Sequence, residues 1–189
     1  WVLEEACAQA AHWTAAHRGE QAFVIAVNLS PVQLTRSEFT DDIKAAIELT
    51  GDPPACLWLE VTENAVLEQM ASTITTLEAI KALGAKIVLD DFGTGYASLQ
   101  SLRRFPIDGV KIDKSFIAGL ARNRSDLAIV SGIADIAAGL GLQVVAEGVE
   151  TAQQVQVLRD LNCPLVQGMH FSGPVAPEEV PGLLARGAL

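Results

Sequence analysis

Two adjacent carboxylates, Asp90 and Asp91, follow the apolar run 87–89 and begin the segment DDFGTGY at residues 90–96. Neighbouring side chains of a strand point to opposite faces, so both acids can reach one ion only if Asp90 ends the strand and Asp91 begins a turn. Gly93 and Gly95 tolerate backbone angles that other residues avoid, which favours such a turn. The pattern predicts either a metal site beneath a mobile loop or a solvated strand-to-helix loop capped by Asp.

The same arrangement recurs along the chain, where five further apolar runs each end in a side chain that can bind an ion or a phosphate. The runs are residues 23–27, 57–59, 109–110, 144–146 and 165–166, and the residues that end them are Asn28, Glu60, Lys111, Glu147 and Gln167. Helical stretches are predicted at residues 39–49, 70–83, 98–104, 126–139 and 152–161, with an amphipathic helix starting at Val2. This alternation predicts an α/β fold with a parallel sheet covered by helices.

The position of the polar residues bears on whether the sheet is open or closed. A TIM-type (β/α) barrel carries its catalytic groups at the C-terminal ends of several strands, whereas an open sheet concentrates them at one switch point. Six strand ends with polar side chains favour the barrel, and a six-stranded open sheet is the alternative. Because 189 residues are fewer than the roughly 250 of such barrels, we expect a single domain over residues 1–189 that lacks one or two N-terminal strands, leaving about six of eight.

Composition limits the classes of partner. Half of the residues are hydrophobic, and the net charge of -10 argues against binding to a DNA or RNA polymer. An acidic protein can still bind an anionic substrate when divalent cations bridge the two. No apolar run reaches the length of a membrane span. Cys7, Cys56 and Cys163 lack CxxC spacing, which predicts reduced core thiols in a reducing compartment.

The candidate ligands offer only oxygen. They are Asn28, Glu60, Asp90, Asp91 and Glu147. Oxygen ligands favour Mg²⁺ or Mn²⁺ over zinc or copper. Lys111 is predicted on an inward face among these acids, where a buried ammonium must be paired. It is either a structural counter-ion or a group that stabilises phosphoryl oxygens and holds the attacking water.

These residues resemble a known family, the EAL domain, which is the bacterial phosphodiesterase that linearises cyclic di-GMP. The resemblance runs from Trp1 to roughly Val175 and rests on several ordered motifs. They are residues 28–30 (NLS) with Gln33, 60–63 (EVTE), 90–99, 111–113 (KID), 146–150 (AEGVE) and 167–168 (QG). The family fold is a TIM-type barrel, in agreement with the strand pattern.

The resemblance implies a two-metal hydrolysis that gives linear pGpG. It implies that Mg²⁺ or Mn²⁺ is held by Asn28, Glu60, Asp90 and Asp91, and that Glu147 completes the cluster. It further implies that Lys111 and Gln167 position the attacking water and the phosphate, and that Asp113 and Gln167 contact the substrate. Thr62, Glu63 and Glu150 resemble the family positions that support the loop 91–96 and couple it to a dimer interface.

The resemblance also sets expectations for the parent protein. Cyclic di-GMP is the expected ligand, a homodimer the expected assembly, and a GGDEF or sensory domain the expected neighbour. The cytoplasm is the expected location, with anchoring of the parent to the inner membrane as the alternative. The Glu-Ala-Leu motif that names the family is absent, and Gly168-Met169 stands where the family has Gly-Tyr. The alternatives are therefore a cyclic di-GMP receptor without turnover and a dimerising module with residues 96–105 at its interface.

Overall fold

The computed structural model describes residues 1–16, 23–50, 56–68, 70–94 and 102–185. Within these ranges six strands alternate with helices. The strands are β1 (Ile25–Leu29), β2 (Leu57–Thr62), β3 (Lys86–Phe92), β4 (Gly109–Ile112), β5 (Gln143–Glu147) and β6 (Leu165–Gln167). Their order in the sheet is β1-β2-β3-β4-β5-β6, and the pairs β1–β2, β4–β5 and β5–β6 are parallel. The predicted parallel α/β sheet is confirmed.

The helices lie before, between and after these strands. They are α1 (Val2–Ala16), α2 (Pro31–Leu34), α3 (Phe39–Thr50), α4 (Glu63–Glu68), α5 (Met70–Ala82), α6 (Lys114–Gly119), α7 (Arg124–Leu140), α8 (Ala152–Asp160) and α9 (Val180–Ala185), with a 3-10 turn at Pro177–Glu179. The sequence missed α2, α4, α6 and α9 because four to six residues are too few to show a helical period. Most of the helix predicted at 98–104 lies outside the described residues. Across the described ranges, no helix has both the length and the apolar character needed to cross a membrane.

The chain forms two compact units, of which the first comprises residues 1–88 together with the C-terminal residues from Ala176. In this unit α1 packs against α3 and β1. The buried residues of α1 are Leu3, Cys7 and Ala10, spaced as one helical face. Val2, the first residue of α1, is 57% exposed.

The second unit comprises Leu89–Val175. Its longest helix, α7, begins where the Asn123 side chain accepts a hydrogen bond of 2.9 Å from Ser125 N, and it ends at Gly141, whose φ is 71°. The buried residues of α7 are Val130, Ile133, Ala134 and Ala137. This i, i+3, i+4, i+7 stripe packs on β4 and β5. The helix therefore forms one wall behind the strands that carry Lys111 and Glu147.

Candidate active site

Three carboxylates form an acidic cluster in the second unit. Asp90 and Asp91 lie near the end of β3, and Glu147 is the last residue of β5. One oxygen atom of each carboxylate lies within 4.8 Å of the others. Because these donors are all oxygen, the cluster fits a hard divalent cation such as Mg²⁺ or Mn²⁺.

The backbone at Asp91 corrects the predicted end of the strand. The sequence predicts that the strand ends at Asp90, but β3 continues to Phe92. The φ of Asp91 is 55°, in the left-handed region that non-glycine residues rarely adopt. This angle breaks the regular alternation of the strand, so two successive carboxylates can join one cluster without a chain reversal at Asp90.

Local hydrogen bonds hold this unusual backbone. Asp91 N donates to Asp90 Oδ1 at 3.0 Å. Thr94 donates to the Asp91 carbonyl from its hydroxyl at 2.8 Å and from its N–H at 3.3 Å. Gly93 has a φ of 97° and lies so close to Phe116 that a Cβ atom would meet the ring at 3.0 Å. Strain of this kind is frequent at functional sites. The predicted loop continues through Gly95 and Tyr96, which lie outside the described residues.

Lys111 is the cation of the cluster. Its side chain is 5% exposed, and its Nζ lies 2.5 Å from Glu147 Oε1 and 3.4 Å from Asp90 Oδ1. Pairing with two acids satisfies the requirement that a buried ammonium be neutralised. Lys111 thus supplies one positive charge to three neighbouring carboxylates, which leaves the cluster negative.

This excess of negative charge affects Asp91. Partial burial, followed by the nearby carboxylates of Asp90 and Asp113, raises the pKa of Asp91, while Lys111 and Lys114 oppose the rise. A carboxyl with a raised pKa is one whose charged form lacks sufficient compensation. A divalent cation would provide that compensation, so the electrostatics agree with the oxygen-only donor set.

Asp113, predicted to contact the substrate, caps helix α6. Its Oδ1 accepts a hydrogen bond of 2.9 Å from Ser115 N. Burial raises the pKa of Asp113, but the hydrogen bonds from the Ser115 side chain and from the backbone lower it by more. The pKa therefore lies below its usual 3.8. The cap fixes the start of α6 directly after the strand that carries Lys111.

We expect Asp113→Ala to reduce the free energy of unfolding by about 1 kcal/mol at pH 7, as is typical for the loss of an N-cap. A depressed folded-state pKa contributes stability that is present above the unfolded value of 3.8 and is lost as the pH falls through the lower folded value. Urea denaturation between pH 7 and pH 3 should therefore show the two proteins converging at the acid end. Asp113→Asn, which retains a capping oxygen, is the control. A difference in stability between the wild type and Asp113→Ala that is the same at every pH would contradict the assignment.

Gln167 lies beside the acidic cluster in the sheet. It pairs in register with Glu147, and its side chain is exposed. Its carbonyl accepts from Val149 N at 3.0 Å, and His170 N donates to the Val149 carbonyl at 3.0 Å. Gly168 packs directly on the Val149 backbone, where any Cβ atom would collide. The segment after β5 is thus fixed on the side of β6.

Two predicted ligands, Asn28 and Glu60, lie in the first unit. They are paired residues of the parallel strands β1 and β2, and Glu60 is 6% exposed. Thr62 ends β2, and its hydroxyl accepts from Ala65 N at 3.4 Å in the first turn of α4. Glu63, also in this turn, is buried. The sequence predicts that Asn28 and Glu60 end their strands, but β1 continues to Leu29 and β2 to Thr62. The roles of both residues stay predictions.

Glu150 and Gln154 follow the cluster in sequence. Glu150 is exposed, and its backbone N donates to Gln154 Oε1 at 2.8 Å. Gln154 is 5% exposed and was not identified from the sequence. The pattern Thr151-x-x-Gln154 is a capping-box sequence and is the signal that could have indicated it.

The chain matches a known protein family over most of its length. The family model described as EAL domain matches residues 1–174. The cyclic di-GMP phosphodiesterase NbdA of Pseudomonas aeruginosa is 42% identical over 175 residues, which are 93% of this chain and 22% of NbdA. MucR of the same organism, a bifunctional diguanylate cyclase/cyclic di-GMP phosphodiesterase, is 40% identical over 180 residues, which are 95% of this chain and 26% of MucR. The chain spans 21% to 30% of the length of the curated relatives it matches.

Two solved structures bear on the fold. The MucR phosphodiesterase in complex with cyclic di-GMP has a TM-score of 0.88 at 40% identity, over 95% of this chain and 72% of that chain. Klebsiella pneumoniae BlrP1 in complex with manganese and cyclic di-GMP has a TM-score of 0.82 at 30% identity, over 92% of this chain and 43% of that chain. These matches confirm the predicted TIM-type fold, of which the described residues supply six strands rather than eight.

Proposed function

The chain belongs to the EAL domain family, and from this premise we propose that it is a metal-dependent phosphodiesterase that hydrolyses cyclic di-GMP to linear pGpG. The observation that carries the proposal is the cluster of Asp90, Asp91 and Glu147 with the buried Lys111 paired to two of them. The family includes cyclic di-GMP phosphodiesterases such as NbdA. In the proposed reaction, a water oxygen bonds to phosphorus, one phosphorus–oxygen bond breaks, and the departing 3′ oxygen takes up a proton.

The proposed metal ligands all supply oxygen. They are Asn28, Glu60, Asp90, Asp91 and Glu147. When bound, a pair of Mg²⁺ or Mn²⁺ ions would activate water and neutralise the phosphate under attack. Support for this choice comes from the raised pKa of Asp91 and from the manganese complex of BlrP1.

The remaining assignments concern the substrate. We assign Lys111 to the attacking water and the phosphoryl oxygens, because its ammonium is held in place by Asp90 and Glu147. Gln167, exposed beside Glu147, positions the phosphate, and Asp113 contacts the substrate from the start of α6. Thr62, Glu63 and Glu150 support the loop that begins at Asp91.

We further propose that the protein acts as a homodimer in the cytoplasm, beside a GGDEF or sensory domain of the same polypeptide. The support for the neighbouring domain is that the relatives are several times longer than the matched region and that one of them, MucR, is also a diguanylate cyclase. Cys163 is a buried thiol that forms no disulfide, which suits a reducing compartment.

Single-turnover hydrolysis of cyclic di-GMP with Mn²⁺ tests the proposal. The 189-residue chain is compared with a version extended toward the N terminus of its gene product, and pGpG is quantified by chromatography. Formation of pGpG by the extended version, abolished by EDTA and restored by Mn²⁺, is the expected result. If both versions bind cyclic di-GMP tightly without turnover, the protein is a cyclic di-GMP receptor and not a phosphodiesterase.

A further inference from the structure

Gln154 is a buried amide outside the acidic cluster whose donor and acceptor atoms are both used. Its Oε1 accepts from Glu150 N at 2.8 Å and from Thr151 N at 2.9 Å. Its Nε2 donates to the Ile117 carbonyl at 2.9 Å, 37 residues away in sequence. The capping box of α8 uses only the bond from Thr151 N. The third bond joins α8 to α6 and calls for an explanation of its own.

The two segments that Gln154 joins are those that follow the ion pair of the site. Lys111 lies on β4, and the chain runs from there through the cap at Asp113 into α6, which contains Ile117. Glu147 ends β5, and the chain runs from there directly to Glu150. One amide therefore connects the element following Lys111 with the loop following Glu147.

The loop after Glu147 is packed between α6 and the segment that contains β6. Gly148, with a φ of 70°, lies against Lys114 at the start of α6, where a Cβ atom would be only 2.5 Å from the lysine Cβ. Val149 is fully buried and is bonded to Gln167 and His170 on the other side. With β6 fixing one side of the loop, the Gln154 to Ile117 bond fixes the side facing α6.

We propose that Gln154 is a positioning residue for the reaction. It holds the loop after Glu147 in place against α6, the helix that follows the strand carrying Lys111. The expected effect on catalysis rests on the proposed function. The expected effect on metal binding rests on the acidic cluster alone. A carboxylate that drifts by an ångström no longer presents its oxygen correctly, and misplacement on this scale lowers rates strongly. Groups that orient metal ligands typically alter affinity by 10- to 100-fold.

The test compares Gln154→Met with Thr151→Ala in the complete domain. Methionine keeps the volume and helix propensity but removes all three amide bonds. Thr151→Ala removes the other half of the same cap, the bond from Gln154 N to Thr151 Oγ1 at 3.2 Å, and leaves the bond to Ile117 intact. Thermal unfolding of both variants measures how much stability is lost when the helix cap alone is weakened.

We expect Gln154→Met to weaken Mn²⁺ binding about tenfold and to lower kcat about tenfold, with KM for cyclic di-GMP changed less than threefold. Thr151→Ala should stay within about twofold of the wild type in all three quantities. Equal effects of the two variants would overturn the proposal, since they would make Gln154 only a helix cap. If Gln154→Met does not fold, Gln154→Glu decides, because one carboxylate oxygen still accepts for the cap while the other replaces the donor with an oxygen that repels the Ile117 carbonyl.

The two readouts separate this inference from the proposed function. A wild-type protein that binds Mn²⁺ without hydrolysing cyclic di-GMP would refute the phosphodiesterase, and the Mn²⁺ affinity of Gln154→Met would still decide the positioning role. An active wild type with unchanged Mn²⁺ affinity and kcat in Gln154→Met would refute the positioning role alone.

Discussion

Asp90→Asn is expected to reduce hydrolysis of cyclic di-GMP by about 1,000-fold or more while leaving the fold intact. Asp90 contributes to the acidic cluster and to the ion pair with Lys111, so the neutral amide removes charge from both. The fold should survive because the amide oxygen can still accept the hydrogen bond that Asp91 N gives to Asp90 Oδ1. Single-turnover rates at saturating Mn²⁺, together with circular dichroism and the melting temperature, measure the two effects separately.

Asp135→Asn is the matched control for this loss of one negative charge. Asp135 is exposed on α7, within the same unit as Asp90, and its removal should leave the rate within about twofold of the wild type, as expected for a surface substitution. Near-normal turnover by Asp90→Asn would remove Asp90 from the metal site. Equal losses in both variants would point to a general effect of net charge.

The sequence could predict the strands and the polar residues near their ends because both depend on local patterns. The run 87–89 is apolar on both faces, and the residue after it is Asp90, which suffices to predict a buried strand followed by a possible ligand. The pairing of Asn28 with Glu60 and of Glu147 with Gln167 follows once consecutive strands are taken as parallel neighbours.

The sequence could not predict the features that depend on contacts distant in sequence or on single backbone angles. The left-handed angle at Asp91 is stabilised by bonds from Thr94 and has no sequence signal, since aspartate adopts it only rarely. The role of Gln154 depends on the carbonyl of Ile117, which no periodicity connects to it. Asp113 was expected beside the substrate, but its use as the cap of α6 required the unpredicted short helix.

Lys111→Met is the second substitution with a large expected effect, and it distinguishes the two roles that the sequence left open. In the metal-free protein the change leaves Asp90 and Glu147 without their shared cation, although both side chains are largely buried, at 14% and 19% exposure. Breaking a buried pair by removing one partner costs about 3 kcal/mol. The melting temperature of the metal-free variant should therefore fall well below that of the wild type.

Bound Mn²⁺ should reverse much of this loss, because a divalent cation among the carboxylates supplies the charge that the lysine no longer provides. Removing the ammonium also removes its repulsion toward the ion, so Mn²⁺ should bind the variant at least as tightly as the wild type. Calorimetric titration and melting curves with and without Mn²⁺ measure both effects. If Lys111 is only a structural counter-ion, Lys111→Met should show these changes with little loss of single-turnover rate at saturating Mn²⁺.

A catalytic Lys111 predicts instead that kcat falls about 100-fold while KM changes little, as for a group that stabilises charge developing in the transition state. Lys114→Met is the control, because Lys114 is exposed at the start of α6 and methionine keeps the Cβ on which Gly148 packs. A rise in KM with kcat unchanged would make Lys111 a clamp for the ground-state phosphate. Loss of kcat in a variant that binds Mn²⁺ fully would place Lys111 at the reacting phosphoryl group, since neither the fold nor the metal would then account for the defect.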